Sequence, residues 1–160
     1  KKPAGDSQDF KAVFKTTYQP GELSAVSYTK DGHVIARSTL KTASQQLRLY
    51  VQPEVPTLKA NGADLAYINI SLADENGIVN PLADRPVTVQ VEGAGILLGF
   101  GSANPFTEES FTDHVHNTYQ GRALAVLRAG HQPGNMKATI SAEGCDPIEL
   151  LIPVEKPTES

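Results

Sequence analysis

The chain has 160 residues, with 14 lysines and arginines against 18 aspartates and glutamates, for a formal net charge of −4. Hydrophobic residues make up 39% and charged residues 20%, so a chain disordered throughout is excluded, and one domain or two small ones are expected. No basic stripe marks a nucleic-acid surface, no apolar run approaches the roughly 20 residues that span a bilayer, and no signal-peptide core follows Lys1-Lys2-Pro3.

Hydrophobicity repeats with a period of two, the period of strands whose successive side chains face opposite sides. The opening Lys1–Asp9 reads as disordered. Phe10, Ala12 and Phe14 alternate with polar residues and predict a strand over Phe10–Thr17. Pro20-Gly21 predicts a type II turn. Glu22–Thr29 and His33–Lys41, joined at Asp31-Gly32, predict a hairpin, which completes a three-strand meander. The pattern breaks after Thr42-Ala43-Ser44. A new run begins at Leu47–Val51, and Pro53 and Pro56 are expected to end its pairing.

Four further apolar faces follow: Ala66/Ile68/Ile70/Leu72, Val87/Val89/Val91, Ala138/Ile140/Ala142 and Ile148/Leu150/Ile152. Asn76-Gly77 marks a bend, and Ala129–Asn135 marks a loop. Phe106–Phe111 is expected to form one helical turn capped by Thr107. Thirteen glycines and eleven prolines are too many for a helical protein. The expected fold is all-β: an immunoglobulin-like antiparallel β-sandwich over residues 46–155, preceded by a partial, truncated small β-sandwich domain over residues 1–45, with a disordered tail at 156–160.

Two sets of residues resemble a known family. Tyr18-Gln19-Pro20-Gly21-Glu22-Leu23-Ser24-Ala25-Val26, Asp31-Gly32 and Leu40-Lys41-Thr42-Ala43 resemble the small β-sandwich that follows the catalytic barrel in glycoside hydrolase family 2. Ser44 stands where glycine is common there. Asn61–Tyr67, Asp74–Gly77, Pro81–Asp84, Gly99–Pro105 and Tyr119–Val126 resemble the C-terminal immunoglobulin-like domain of β-galactosidase-type members. The resemblance implies a larger bacterial hydrolase, retaining in mechanism, acting on a terminal β-linked sugar in the periplasm or at the cell surface. The family's catalytic barrel and its glutamates are not in these 160 residues, so no catalytic residue is carried over and none is expected.

The residues suggest few sites. His114-Val115-His116 places two imidazoles on one strand face, but no third and fourth ligand is evident, so a solvated loop is expected and no metal or cofactor. Glu108, Glu109 and Asp113 cluster without a recognisable cleft. Ser102 lies outside any nucleophile-elbow motif. Gly93, Gly95, Gly99 and Gly101 suggest a strand corner, a bulge or close backbone approach. Cys145 has acidic neighbours that raise a thiol pKa, and it reads as structural. Asn69-Ile70-Ser71 is a chance sequon within a strand. Phe106, Phe111 and Tyr119, flanking Asn104, His116 and Asn117, form the candidate carbohydrate surface.

The leading expectation is a non-catalytic accessory region whose partner is the remainder of a hydrolase. A carbohydrate-binding module is the first alternative, and an immunoglobulin-like spacer of a bacterial surface adhesin is the second. An open sheet edge in the first unit predicts a tendency to dimerise.

Overall fold

The computed structural model describes residues 1–157. Residues 158–160 of the expected tail lie outside them, and Lys156 and Pro157 carry no regular structure. The chain divides into two compact units, Lys1–Thr42 and a unit that begins at Ala43.

The first unit is built on one antiparallel hairpin, β1 (Glu22–Tyr28) and β2 (Val34–Lys41), with Glu22 opposite Lys41 and Tyr28 opposite Val34. Its turn forms because Thr29 O accepts the Gly32 N–H at 3.1 Å, with Gly32 at φ +88°. The open end is tied by Thr42, whose N–H reaches Gly21 O and whose hydroxyl meets Tyr18 Oη. Gly21 has φ +134°, well away from the +80° or so of a type II turn, so that expectation is corrected.

The predicted strand at Phe10–Thr17 is absent. Its alternation is present, but a strand needs a partner ladder, and among the described residues none pairs with it. The opening residues carry more order than expected. Asp6–Gln8 form a single 3₁₀ turn, after which Asp9 and Phe10 take positive φ, and Lys2 Nζ donates to Val13 O.

The second unit is a two-sheet sandwich. One sheet has the order β3 (Arg48–Pro53), β5 (Leu65–Ala73), β9 (Arg122–Ala129), β7 (Gly95–Gly101). The other has the order β4 (Leu58–Lys59), β11 (Ile148–Glu155), β10 (Gly134–Ala142), β6 (Pro86–Gly93), β8 (Val115–Asn117). All neighbours are antiparallel except β4 and β11. Pro53 is tolerated because it ends an edge strand.

The alternating faces meet as their period demands. Ile68, Ile70 and Leu72 of β5 and Leu127 of β9 join one buried core with Val87 and Val89 of β6, Met136 and Ile140 of β10 and Ile152 of β11. Each of these side chains is at most 2% exposed. Fully burying such a chain contributes about 1.5–3 kcal/mol.

Two crossings between the sheets position most of the candidate residues. From β6 to β7 the chain turns a tight corner at Gly93-Ala94-Gly95. A Cβ on Gly93 would sit 2.3 Å from Asn135 O, and Gly93 has φ +87°. From β7 the chain returns to β8 through the loop at residues 102–114. A register shift between Leu97 and Gly99 makes the expected bulge.

Candidate functional site

The loop at residues 102–114 holds most of the candidate residues. Short polar side chains fold it locally. Asn104 Oδ1 accepts the Phe106 N–H at 3.0 Å, Thr107 Oγ1 accepts the Glu109 N–H at 3.2 Å, and Ser110 Oγ accepts the Thr112 N–H at 3.3 Å. Such side-chain turns compete with helix. That is why Thr107 makes a cap-like bond and no helical turn follows, contrary to the sequence expectation. The loop is fastened to both sheets: the Phe100 N–H donates to Phe111 O at 2.7 Å, and the Val89 N–H donates to His114 O at 2.8 Å.

Glu109 is the anchor. Its Oε1 accepts Asn117 N–H at 2.9 Å and Asn117 Nδ2 at 2.7 Å. Its Oε2 accepts the Thr107 hydroxyl at 3.0 Å and lies 3.2 Å from His116 Nδ1. Partial burial pushes this carboxyl up, but the bonds from Asn117 and Thr107 and the adjacent His116 ring outweigh it and hold the group below its ordinary value. A depressed folded value gives stability that is present above the ordinary carboxylate value and is lost as pH falls through the folded one. Hydrogen-exchange protection of the Asn117 amide is therefore expected to fall in the wild type as the pH drops below the ordinary carboxylate range. In Glu109→Gln that acid step should be missing. Protection that holds through the acid range in both proteins would contradict the anchor.

His116 corrects the expectation of a solvated pair. It is fully buried. Its Nδ1 lies 3.0 Å from Asn117 O, which can only accept, so Nδ1 carries the proton. Its Nε2 is buried without a partner. Its ring stacks on Phe111 at 5.6 Å and meets the edge of Phe100 at 5.9 Å. Gly101 makes this possible, since a Cβ there would lie 2.4 Å from the Phe111 ring. His114 turns elsewhere, with Nδ1 3.0 Å from Val89 O. Among the described residues no cluster of three or more His, Cys, Asp or Glu side chains is placed to hold a metal ion.

The remaining candidates separate. Phe106 is 89% exposed, and Phe111 keeps 56% of its surface open despite the stack. Asn104 and Tyr119 are half-buried, whereas Asn117 is exposed but committed to Glu109. Glu108 and Asp113 are exposed and make no ion pair among the described residues. Cys145 is half-buried with Sγ 3.5 Å from Leu47 O. Its thiol is pushed up first by burial and only then by Asp146, while Arg85 pulls it down.

Two buried polar residues went unforeseen. Thr118 donates to Ala83 O at 2.6 Å and accepts the Arg85 N–H. Asp74 accepts backbone N–H groups from Ser44, Asn76 and Ile78, which hold its carboxyl below the usual range, the Ser44 bond first. The Asp74-Glu75-Asn76-Gly77 turn chemistry was the available signal.

The second unit is thus an immunoglobulin-like sandwich whose loop at residues 102–114 is tied down by its own acid. Residues 49–150 match the family described as glycoside hydrolase family 2 C-terminal domain 5, and residues 1–36 match a domain family of unknown function. The chain belongs to glycoside hydrolase family 2, as a C-terminal domain of that family. It is 28% identical to the β-galactosidase BoGH2A of Bacteroides ovatus over 94% of this chain and 18% of that protein. It is 31% identical to a β-galactosidase of Thermoanaerobacter pseudethanolicus over 66% of this chain and 12% of that protein. A solved family 2 member from Bacteroides cellulosilyticus superposes with a TM-score of 0.92 and 30% identity, covering 97% of this chain and 20% of that one. The chain thus spans about a fifth or less of each relative's length, and these relatives are bacterial. No helix among the described residues is long and apolar enough to cross a membrane.

Proposed function

We propose that this chain is a non-catalytic accessory part of a larger β-galactosidase-type glycoside hydrolase. That enzyme would cleave a terminal β-linked sugar with retention of configuration, in the periplasm or at the surface of a bacterium. The chain would pack on the catalytic barrel, stabilise it and shape access to its active site. The observation that carries this reading is the pair of coverages, 94% of this chain against 18% of the Bacteroides ovatus β-galactosidase. The chemistry of the loop supports it, because a glycosidase needs two poised carboxylates across a sugar-sized cleft. Here Glu109 is saturated by structural bonds.

The test is a chromogenic galactoside assay on the chain alone, run beside the same assay on the long polypeptide that contains it. The expected result is turnover by the long polypeptide only. Turnover by the chain alone would return Glu108, Glu109 and Asp113 to candidacy as a site.

A second reading, carbohydrate binding, is favoured by one observation: Phe106 is 89% exposed on a loop ordered by consecutive side-chain turns. Such a ring can stack on a sugar's apolar face while Asn104 and the exposed Asn117 border it. Phe111 and Tyr119 would then flank the subsite, and His116 would support it from within. Saturable binding on a glycan panel, lost in Phe106→Ala, would establish this reading, and a blank panel would remove it.

The first unit carries its own expectation. Leu23, Val34, Ile35 and Leu40 are each more than half exposed on the hairpin. Such a ladder with bare apolar side chains pairs with further strands, and in isolation it would pair with a second copy. Light scattering that gives a strictly monomeric mass at high concentration would refute that dimer.

A further inference from the structure

The two outer faces of the sandwich differ. On the five-stranded sheet the outward positions are mostly polar, as with Thr88, Gln90 and Thr139, or ion-paired, as with Lys137 and Glu149 at 2.6 Å, with Val115 and Leu151 exposed singly among them. On the four-stranded sheet large apolar side chains stand on the outward face beside polar Gln52, Asn69 and Ser71. Tyr50 of β3, Tyr67 of β5, Leu124 of β9, and Ile96 and Leu98 of β7 are 37–48% exposed, and Val126 of β9 is partly exposed among them. The register sets Tyr67 opposite Val126, with Leu124 two residues along β9 from Val126, whereas Tyr50 lies opposite Ser71, Leu124 opposite Asn69 and Ile96 opposite Arg128. The apolar centre at Tyr67, Leu124 and Val126, ringed by polar and basic residues, has the make-up of an interaction site.

The charges on this face are one-sided. Arg48, Arg122 and Arg128 stand on it, and none forms an ion pair among the described residues. The carboxylate that reaches it, Glu54, accepts from Asn69 Nδ2 at 3.3 Å. Three unpaired arginines around an apolar centre run against the chain's net charge of −4. Arginine and tyrosine are favoured at protein interfaces because each adds contact area and directed hydrogen bonds.

We infer that the outer face of the four-stranded sheet docks on the remainder of the parent polypeptide, at a region with an apolar centre and an acidic rim. This rests on the accessory-domain reading above. The aliphatic centre of the patch favours a protein surface over a sugar. Leu98, Leu124 and Val126 offer no flat ring, and the Tyr50 hydroxyl is already spent on Asp74 O at 2.8 Å. The occupant is placed in the same polypeptide because four-fifths or more of each relative's length lies outside this chain.

Hydroxyl-radical footprinting of the long polypeptide and of the 160-residue chain tests this. Tyr67 and Leu124 should be labelled several-fold less in the long polypeptide. Leu151, exposed on the opposite sheet, should label equally in both, and buried Leu127 should stay unlabelled, which verifies folding. The pair Arg122→Glu and Arg128→Glu should lower the melting temperature of the long polypeptide and leave that of the 160-residue chain nearly unchanged. Equal labelling of Tyr67 and Leu124 in the two proteins would overturn the inference. So would protection of this face that grows with concentration in the 160-residue chain, which would make a second copy the occupant. Galactoside turnover by the long polypeptide is read separately. A hydrolase with an unprotected face would sink the docking surface alone, whereas a long polypeptide without hydrolase activity would sink the accessory reading.

Discussion

Alanine in place of Phe100 is expected to lower the unfolding free energy of the second unit by about 3–5 kcal/mol. Phe100 is 2% exposed on β7 and belongs to the buried core of that unit. Its ring meets the edge of His116, so the substitution opens a cavity and removes one wall of the imidazole's box. That loss is a large share of the roughly 5–15 kcal/mol that holds a domain folded. The backbone bond from residue 100 to Phe111 O survives the change, so the loop should loosen before it detaches. Urea unfolding should show a shifted midpoint with an unchanged slope. Phe111→Ala, at a ring still 56% exposed, should cost clearly less. Equal costs for the two would mean that the stack, and not the buried wall, carries the stability.

The second large effect is expected at Gly93. Gly93→Ala combines two penalties: a left-handed backbone angle, φ +87°, and a Cβ 2.3 Å from the main-chain oxygen of Asn135. A main-chain atom cannot swing away, and its neighbours are engaged, since Ala94 N–H donates to that same oxygen at 3.0 Å. The combined cost is expected to reach about 2–4 kcal/mol. Gly77→Ala separates the penalties, because Gly77 has φ +75° with nothing near its Cβ position. It should cost only the backbone share, about 1–2 kcal/mol. Matching midpoints for the two variants would show that the corner relaxes and that the contact is not limiting.

The sequence was most readable where a strand's two faces meet different surroundings. Val87 to Glu92 alternates because one face joins the core and the other meets water, and the strand lies where the alternation puts it. Phe10 to Phe14 alternates as well, yet no strand forms, because pairing is decided by what lies alongside and not by the run itself. The candidate site was readable by composition only. The cluster of Glu108, Glu109 and Asp113 was visible, but which acid turns inward depends on Thr107 and Asn117 arriving from two sides. His116 read as a loop histidine because its burial comes from Phe100, from Phe111 and from the absent side chain of Gly101. Only the glycine hinted at that close approach.

The parallel pairing of β4 with β11 has a mechanical consequence. Val154 lies beside Leu58 and Glu155 beside Lys59, the Ala60 N–H donates to Glu155 O at 2.7 Å, and Lys59 Nζ reaches Glu155 Oε2 at 2.8 Å. Tension that enters through the start of β4 and leaves through the end of β11 pulls two parallel strands in opposite directions along their length. The bonds between them are then loaded in shear, together, rather than opened one after another like a zipper. Once β3 has yielded, this short seam is the clasp that resists traction on the unit.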